Sequence, residues 1–192
     1  MKKLIGRKKT KTAIFISGTG SNLKKLIQFS KIKKSPISID LIVSSTKKAP
    51  GLKYSKQYKI EKKVVNFKNN KIAEKKILNF INKKKIKFIC LAGFMKIISK
   101  NFIQKFNGKI INIHPSLLPK YKGLNTHKRA IENKEKFAGC TVHYVSTKLD
   151  SGKIILQKKV KIKKKDTAIS LKKKILEKEH QLYPAAIRKI FS

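Results

Sequence analysis

The chain has 192 residues, 50 of them lysine or arginine against 9 acidic, for a net charge of +41; it is long enough for one α/β domain with a substantial core and too short for two. So strong a positive charge normally points to nucleic acid, yet only Arg7, Arg129 and Arg188 are arginine, and surfaces that read bases or grip phosphates use the bidentate guanidinium freely. The lysines are spread over all parts of the chain and read as a solvated coat of compositional origin. Such a coat binds polyanions loosely and in a salt-sensitive way, so no specific nucleic-acid partner is expected.

No apolar run approaches the roughly 18 residues of a membrane span, which excludes a membrane-spanning role. Cys90 and Cys140 are too few for a disulfide framework and lie in no metal-ligand spacing, so a reducing cytoplasm and no metal are expected. Residues 1–11 read as a basic, flexible leader, because the apolar run that follows is too short for a secretion signal. Residues 12–192 then form the one domain.

If lysine fills tolerant surface positions, stretches without it mark places where the fold or the chemistry excludes it. Four stand out, at 13–23, 88–95, 110–119 and 137–147. Burial in strands explains their apolar residues. It does not explain Ser17, Ser21, Asn22, Asn112, His114 and His143, which are polar and lie within these windows.

In chain order, residues 12–17 predict a strand, and Gly18, Thr19, Gly20, Ser21 and Asn22 a tight turn into a helix with Leu23, Leu26 and Ile27 inward. A glycine turn opening a helix presents unpaired N–H groups and the positive end of the helix dipole, which suits a phosphate. Leu23 replaces the third glycine of the dinucleotide fingerprint, so a monophosphate fits better than a dinucleotide. An ordinary strand-to-helix turn capped by Ser21 or Asn22 is the alternative. Residues 37–44 predict a second strand, 51–58 a short helix after a Pro-Gly breaker, and 62–67 a third strand. The helix over 70–84 places Ala73, Ile77, Phe80 and Ile81 inward and its charged residues in solvent. Residues 86–92 form a continuous apolar strand, typical of a sheet covered on both faces, and Phe94 and Met95 beyond it could line a pocket for a flat ring.

Residues 109–113 predict a further buried strand, ended by Pro115, which holds His114 extended. Asn112 and His114, two apart, share one side of that strand's end. An amide donor beside a titratable imidazole suits polarising a carbonyl while moving a proton; a hydrogen-bonded structural pair is the plainer alternative. A short helix over 125–133 follows. The strand over 137–146 puts Thr141, His143 and Val145 on one face, and 153–162 forms the last strand. Asp166 or Thr167 caps a final helix that Pro184 kinks or interrupts. Alternating strands and helices give a single α/β domain with a Rossmann-like, mostly parallel central sheet flanked by helices, its active edge at the strand carboxyl ends.

The motifs Ile-Asn-Ile-His-Pro-Ser-Leu-Leu-Pro at 111–119 and Leu-Asp-Ser-Gly at 149–152 resemble the folate-dependent formyltransferases. Ile-Ser-Gly-Thr-Gly-Ser-Asn-Leu at 16–23, Leu-Ala-Gly-Phe-Met at 91–95 and Pro-Lys-Tyr-Lys-Gly-Leu-Asn-Thr-His at 119–127 resemble, within them, the phosphoribosylglycinamide formyltransferase family. The resemblance spans about residues 12–190 and implies the formyltransferase fold, a cytoplasmic monomer or homodimer, and a role in purine biosynthesis. It implies transfer of a formyl group from 10-formyltetrahydrofolate to the amine of phosphoribosylglycinamide, without a metal. By the same resemblance Asn112 holds the developing oxyanion, His114 is the general acid/base and Asp150 supports its imidazole. Gly20, Ser21 and Asn22 bind the substrate phosphate, and Glu179 contacts its ribose-phosphate or amine, although Glu177, Glu179 and nearby lysines also read as an exposed salt-bridge face. The folate lies along Met95, Lys96, Ile97, Ile98 and Asn112 and along Ser146, Thr147, Lys148, Leu149 and Asp150. Where the family carries an arginine for the folate tail, this chain has Asn70 and Lys71. A lysine-rich nucleic-acid-binding protein, or a degenerate formyltransferase fold kept as a binding module, is the competing class.

Overall fold

The computed structural model describes residues 8–192. The elements are β1 (Thr10–Ile16), α1 (Ser21–Ser30), β2 (Ile37–Ser44), a 3-10 turn at Pro50–Leu52, α2 (Lys53–Tyr58), β3 (Lys62–Val64), α3 (Asn70–Lys83), β4 (Phe88–Leu91), α4 (Lys100–Lys105), β5 (Lys109–His114), α5 (Thr126–Glu132), β6 (Phe137–Tyr144), β7 (Ile154–Lys161) and α6 (Ala168–Phe191). They form a seven-stranded sheet in the order β3-β2-β1-β4-β5-β6-β7. The first five strands in that order run parallel; β6 pairs antiparallel with β5, and β7 antiparallel with β6, so β6 alone runs against the others. The chain leaves β1 for one side of the sheet and later returns to its other side with β4. That reversal opens a crevice at the carboxyl ends of these two strands, the usual ligand position in such sheets.

Strand alternation sorts the core into two layers. Ile14 and Ile16 face the layer with Leu23, Leu26, Ile175 and Ile187, under α1 and α6. Ala13 and Phe15 face the layer with Ala73, Ile77, Ile81 and Phe102, under α3 and α4. In β5 the same alternation puts Ile111 and Ile113 in the first layer and Ile110 in the second, so Asn112 and His114 follow Ile110 on the second layer's face. The apolar cover gives way there to polar side chains. Tyr183 of α6, fully buried, extends under the sheet and donates its hydroxyl to the carbonyls of Leu91 (2.9 Å) and Ile111 (3.3 Å), tying β4 to β5. No helix among the described residues is long and apolar enough to cross a membrane.

Several expectations need correction. β1 begins at Thr10, so residues 10 and 11 of the expected leader belong to the sheet, and residues 1–7 of it lie outside the described residues. The third strand stops at Val64. The helix α4, not anticipated, starts where Ser99 accepts the Phe102 N–H as its N-cap. In α3, Phe80 is only half-buried, while Glu74, expected in solvent, is 3% exposed. Pro184 does not end α6, which continues to Phe191; burial of Leu182, Tyr183, Ala186 and Ile187 offsets the lost N–H bond. The helix opens with Thr167 as cap, in a reciprocal box with Ser170.

The Tyr183 hydroxyl gives a direct check on this core. Tyr183→Phe keeps the packing and removes the link between β4 and β5, so it should cost about 1–2 kcal/mol and lower the melting temperature by roughly 3–6 °C in a domain of this size. Thermal denaturation followed by circular dichroism measures this; an unchanged midpoint would mean that the two carbonyls need no such donor.

Candidate active site

The antiparallel pairing of β6 with β5 sets Asn112 opposite His143 and His114 opposite Thr141. Side chains of directly paired residues lie on the same face, so both histidines and the amide converge. His143 Nδ1 lies 2.9 Å from the Tyr144 carbonyl and its Nε2 lies 3.3 Å from Asn112 Nδ2. These partners assign the tautomer: Nδ1–H donates to the carbonyl, and Nε2 accepts from the amide. Burial, outweighing the Tyr144 carbonyl and the Asp150 charge, lowers the His143 pKa and keeps the ring neutral near pH 7. Asn112 is thereby oriented with its oxygen turned from His143 and one N–H left over. Thr141, opposite His114, anchors the segment that Pro115 begins, donating to the Ser116 carbonyl (2.6 Å) and accepting the Leu118 N–H (3.1 Å).

His114, 6% exposed, faces an oxygen with each nitrogen. Nε2 lies 2.9 Å from the Tyr121 carbonyl and Nδ1 lies 3.4 Å from Asp150 Oδ2. With Nε2–H donating to the carbonyl, Nδ1 is the nitrogen able to exchange a proton, beside a carboxylate. Asp150 itself adopts the left-handed conformation (φ 45°) and accepts the Gly123 N–H at 2.9 Å. Its Oδ1 is 3.7 Å from His143 Nε2, too far for a hydrogen bond and facing a lone pair rather than a proton. Two residues on, Gly152 packs on β6 so closely that a Cβ would stand 1.7 Å from the Tyr144 carbonyl oxygen. Only glycine lets the loop fold back and deliver Asp150 to the histidines. His127 is pushed down to about 4 by burial, Lys172 and His114, which makes it neutral and unsuited to proton exchange near pH 7.

A cleft of about 100 Å3 opens against this cluster, lined by Leu91, Phe94, Lys96, Ile97, Ile98, Asn112, His143, Val145 and residues 146–150. The expected folate residues thus come together, with the exception of Met95, which is 67% exposed and does not line the cleft. Asn70 and Lys71, exposed at the start of α3, do not line it either. A larger hollow of about 580 Å3 sits behind the Pro115 segment, lined by Tyr121, Glu135, Ile175 and several lysines. None of Asn112, His114 and Asp150 borders it, so it is not where this chemistry can occur.

At the glycine turn, Gly20 (φ 72°) is the N-cap of α1, which has neither a side-chain cap nor an acidic residue in its first turn. The N-terminus is open to an anion. A Cβ on Gly20 would come within 2.8 Å of the Gly51 Cα, and Gly51 N–H in turn donates to the Gly18 carbonyl; glycine here serves the fold as well as any ligand. Behind the turn, Asn22 Nδ2 donates to Glu179 at 2.7 Å, while its Oδ1 is buried without a partner among the described residues. Glu179 is 7% exposed, not part of an exposed salt-bridge face, and burial pushes its carboxyl up to about 7 against the Asn22 bond and Lys172. The orphan acceptor and the half-ionised carboxyl are suited to a donor-bearing ligand.

His143 stood out in the sequence only as a polar residue that burial in its strand does not explain. Its place in a lysine-free strand was visible, but its pairing with Asn112 depends on the register of β6.

The model for formyl transferases matches residues 10–187. The phosphoribosylglycinamide formyltransferase of Haemophilus influenzae is 41% identical over 181 residues, 93% of this chain and 85% of that protein. The human trifunctional purine biosynthetic protein adenosine-3 is 41% identical over 97% of the chain, which spans only 19% of that protein's length. The crystal structure of phosphoribosylglycinamide formyltransferase from Brucella melitensis superposes with a TM-score of 0.90 at 40% identity, covering 95% of this chain and 96% of that one. With a matching family model over nearly the whole chain, and the Asn-x-His-Pro strand end and Asp150 loop folded into one cluster, the chain belongs to the formyl transferase family.

Proposed function

We propose that the chain transfers the formyl group of 10-formyltetrahydrofolate to the amine of phosphoribosylglycinamide, giving the N-formyl product and tetrahydrofolate in purine biosynthesis. The observation that carries this reading is the convergence of Asn112 and Asp150 on one cleft, with His114 directly behind Asp150, its Nδ1 3.4 Å from the carboxylate. Asn112 donates its free N–H to the formyl oxygen as the amine attacks the carbon and the carbonyl becomes an oxyanion. His114 takes the proton of the attacking amine at Nδ1, and the Asp150 carboxylate offsets the ring's charge. The same proton passes to N10 of the folate as the carbon–nitrogen bond breaks and the oxyanion re-forms the carbonyl. An activated donor and an amine acceptor need no metal for this exchange.

In this reading Met95, Lys96, Ile97 and Ile98 and residues 146–150 hold the folate. Gly20, Ser21 and Asn22 hold the phosphate through backbone N–H groups, and Glu179 faces the ribose or the glycinamide amine. Asn70 and Lys71 lie outside the cleft lining, so the folate tail is held less firmly there. A reducing cytoplasm fits the two free, buried cysteines, and a lysine coat gives only loose contact with nucleic acid.

The test is a formyl-transfer assay with the two named substrates, following release of tetrahydrofolate. Wild-type chain should turn over, and Asn112→Ala should lose about 10²- to 10³-fold in kcat with little change in either KM. A wild-type chain inert with these substrates would refute the assignment. The phosphate site has its own check in Ser21→Asp. An added carboxylate at the N-terminus of α1 favours the helix but repels the anion, so KM for phosphoribosylglycinamide should rise about 10-fold or more while folate KM and melting temperature hold. Equal rises in both KM values would contradict this division of the site.

A further inference from the structure

Between β4 and α4 the chain forms the wall of the cleft as the segment 92–99. Side chains from two distant elements fasten its ends. Ser17, just past β1, donates its backbone N–H to the Gly93 carbonyl (3.0 Å), and its Oγ accepts the Met95 N–H (2.8 Å). That hydroxyl also shares a hydrogen bond with Ser45 Oγ at 2.7 Å. At the other end Glu74 of α3 accepts the Ser99 N–H (2.7 Å) and the Ser99 hydroxyl. Phe94 packs edge-on against Phe15 and Phe67. Between the fastenings, the N–H groups of Lys96, Ile97 and Ile98 have no partner within the described residues.

Glu74 is hard to explain as a core residue. It is buried, and none of the ion pairs among the described residues includes it, in a chain crowded with lysine. A buried carboxylate contributes less to stability than an apolar side chain of similar volume. What it does provide is two directed acceptors that fix one residue of the cleft wall. Ser17 does the same at the opposite end, and it connects that wall to the glycine turn.

We propose that Ser17 and Glu74 are positioning residues for the folate: they hold the 92–99 segment against Asn112 so that its unpaired N–H groups meet the edge of a flat heteroaromatic ring. This rests on the formyl-transfer reading. Glu74→Gln keeps the volume but turns one acceptor into a donor that opposes a Ser99 donor; Ser17→Ala removes only the hydroxyl.

The experiment measures kcat, both KM values and, by calorimetry, the Kd for tetrahydrofolate in wild type and each variant. Glu74→Gln should raise the folate KM and the tetrahydrofolate Kd about 10-fold, and Ser17→Ala about 3- to 10-fold. KM for phosphoribosylglycinamide should stay within about two-fold and kcat within about three-fold, because positioning loss falls on one ligand. A merely structural role would instead lower the active fraction and the melting temperature with both KM values unchanged, and that result would overturn the proposal. If Glu74→Gln does not fold, Ser17→Ala, which leaves Glu74 and the Ser99 cap of α4 intact, decides the proposal from the other end of the segment. A wild type that binds tetrahydrofolate without transferring the formyl group refutes the functional reading alone, since the shift in Kd still decides the positioning role.

Discussion

The site depends on one buried carboxylate. Asp150 has a side chain only 8% exposed, in a chain of net charge +41, yet its neighbours are the Gly123 N–H and two histidines rather than a lysine. Desolvating a carboxylate costs several kcal/mol unless donors replace the lost water; here the Gly123 N–H does so, joined by His114 Nδ1 once that nitrogen takes up a proton. These contacts also join two loops, one carrying Tyr121 and Gly123 and the other Asp150 and Gly152. His114 is held between the loops through the Tyr121 carbonyl on one ring nitrogen and Asp150 on the other. A second link between the loops, from Lys122 Nζ to Ser151 Oγ at 2.6 Å, is exposed, so the carboxylate is their buried connection.

The sheet supplies the other half of the arrangement. Its change from parallel to antiparallel pairing at β5 brings His143 across from Asn112, which a purely parallel neighbour could not do from the same loop. The reversal of strand order beside β1 places the glycine turn and the 92–99 segment side by side. In the proposed reaction the two substrates approach from these adjacent strand ends and meet at Asn112. The layer that covers Ile110 ends before Asn112, so Asn112 stays reachable from the cleft although the strand it belongs to is buried.

Much of this was legible in the sequence, for identifiable reasons. Pro115 marks a strand end by its own stereochemistry, and two-residue spacing fixes that Asn112 and His114 share a face. The lysine-rich background made charge-free windows conspicuous. Asp150 is different: its approach to His114 follows from a left-handed turn and from Gly152 lying against Tyr144, which no local pattern announces, and only the family resemblance pointed to it. Glu74 was misread because helical periodicity assigns charge to solvent, while its burial depends on Ser99, 25 residues away. Asn70 and Lys71 were carried over from a position in the family rather than from chemistry, and the cleft does not include them.

The most direct test of the central claim is the activity of Asp150→Asn, alone and combined with His114→Ala, measured at saturating substrates over pH 6 to 9. If the carboxylate acts through the histidine, the single change lowers kcat by about 10² or more, and the pair loses little beyond His114→Ala alone. Multiplying losses, or full activity of Asp150→Asn across that range, would contradict the account.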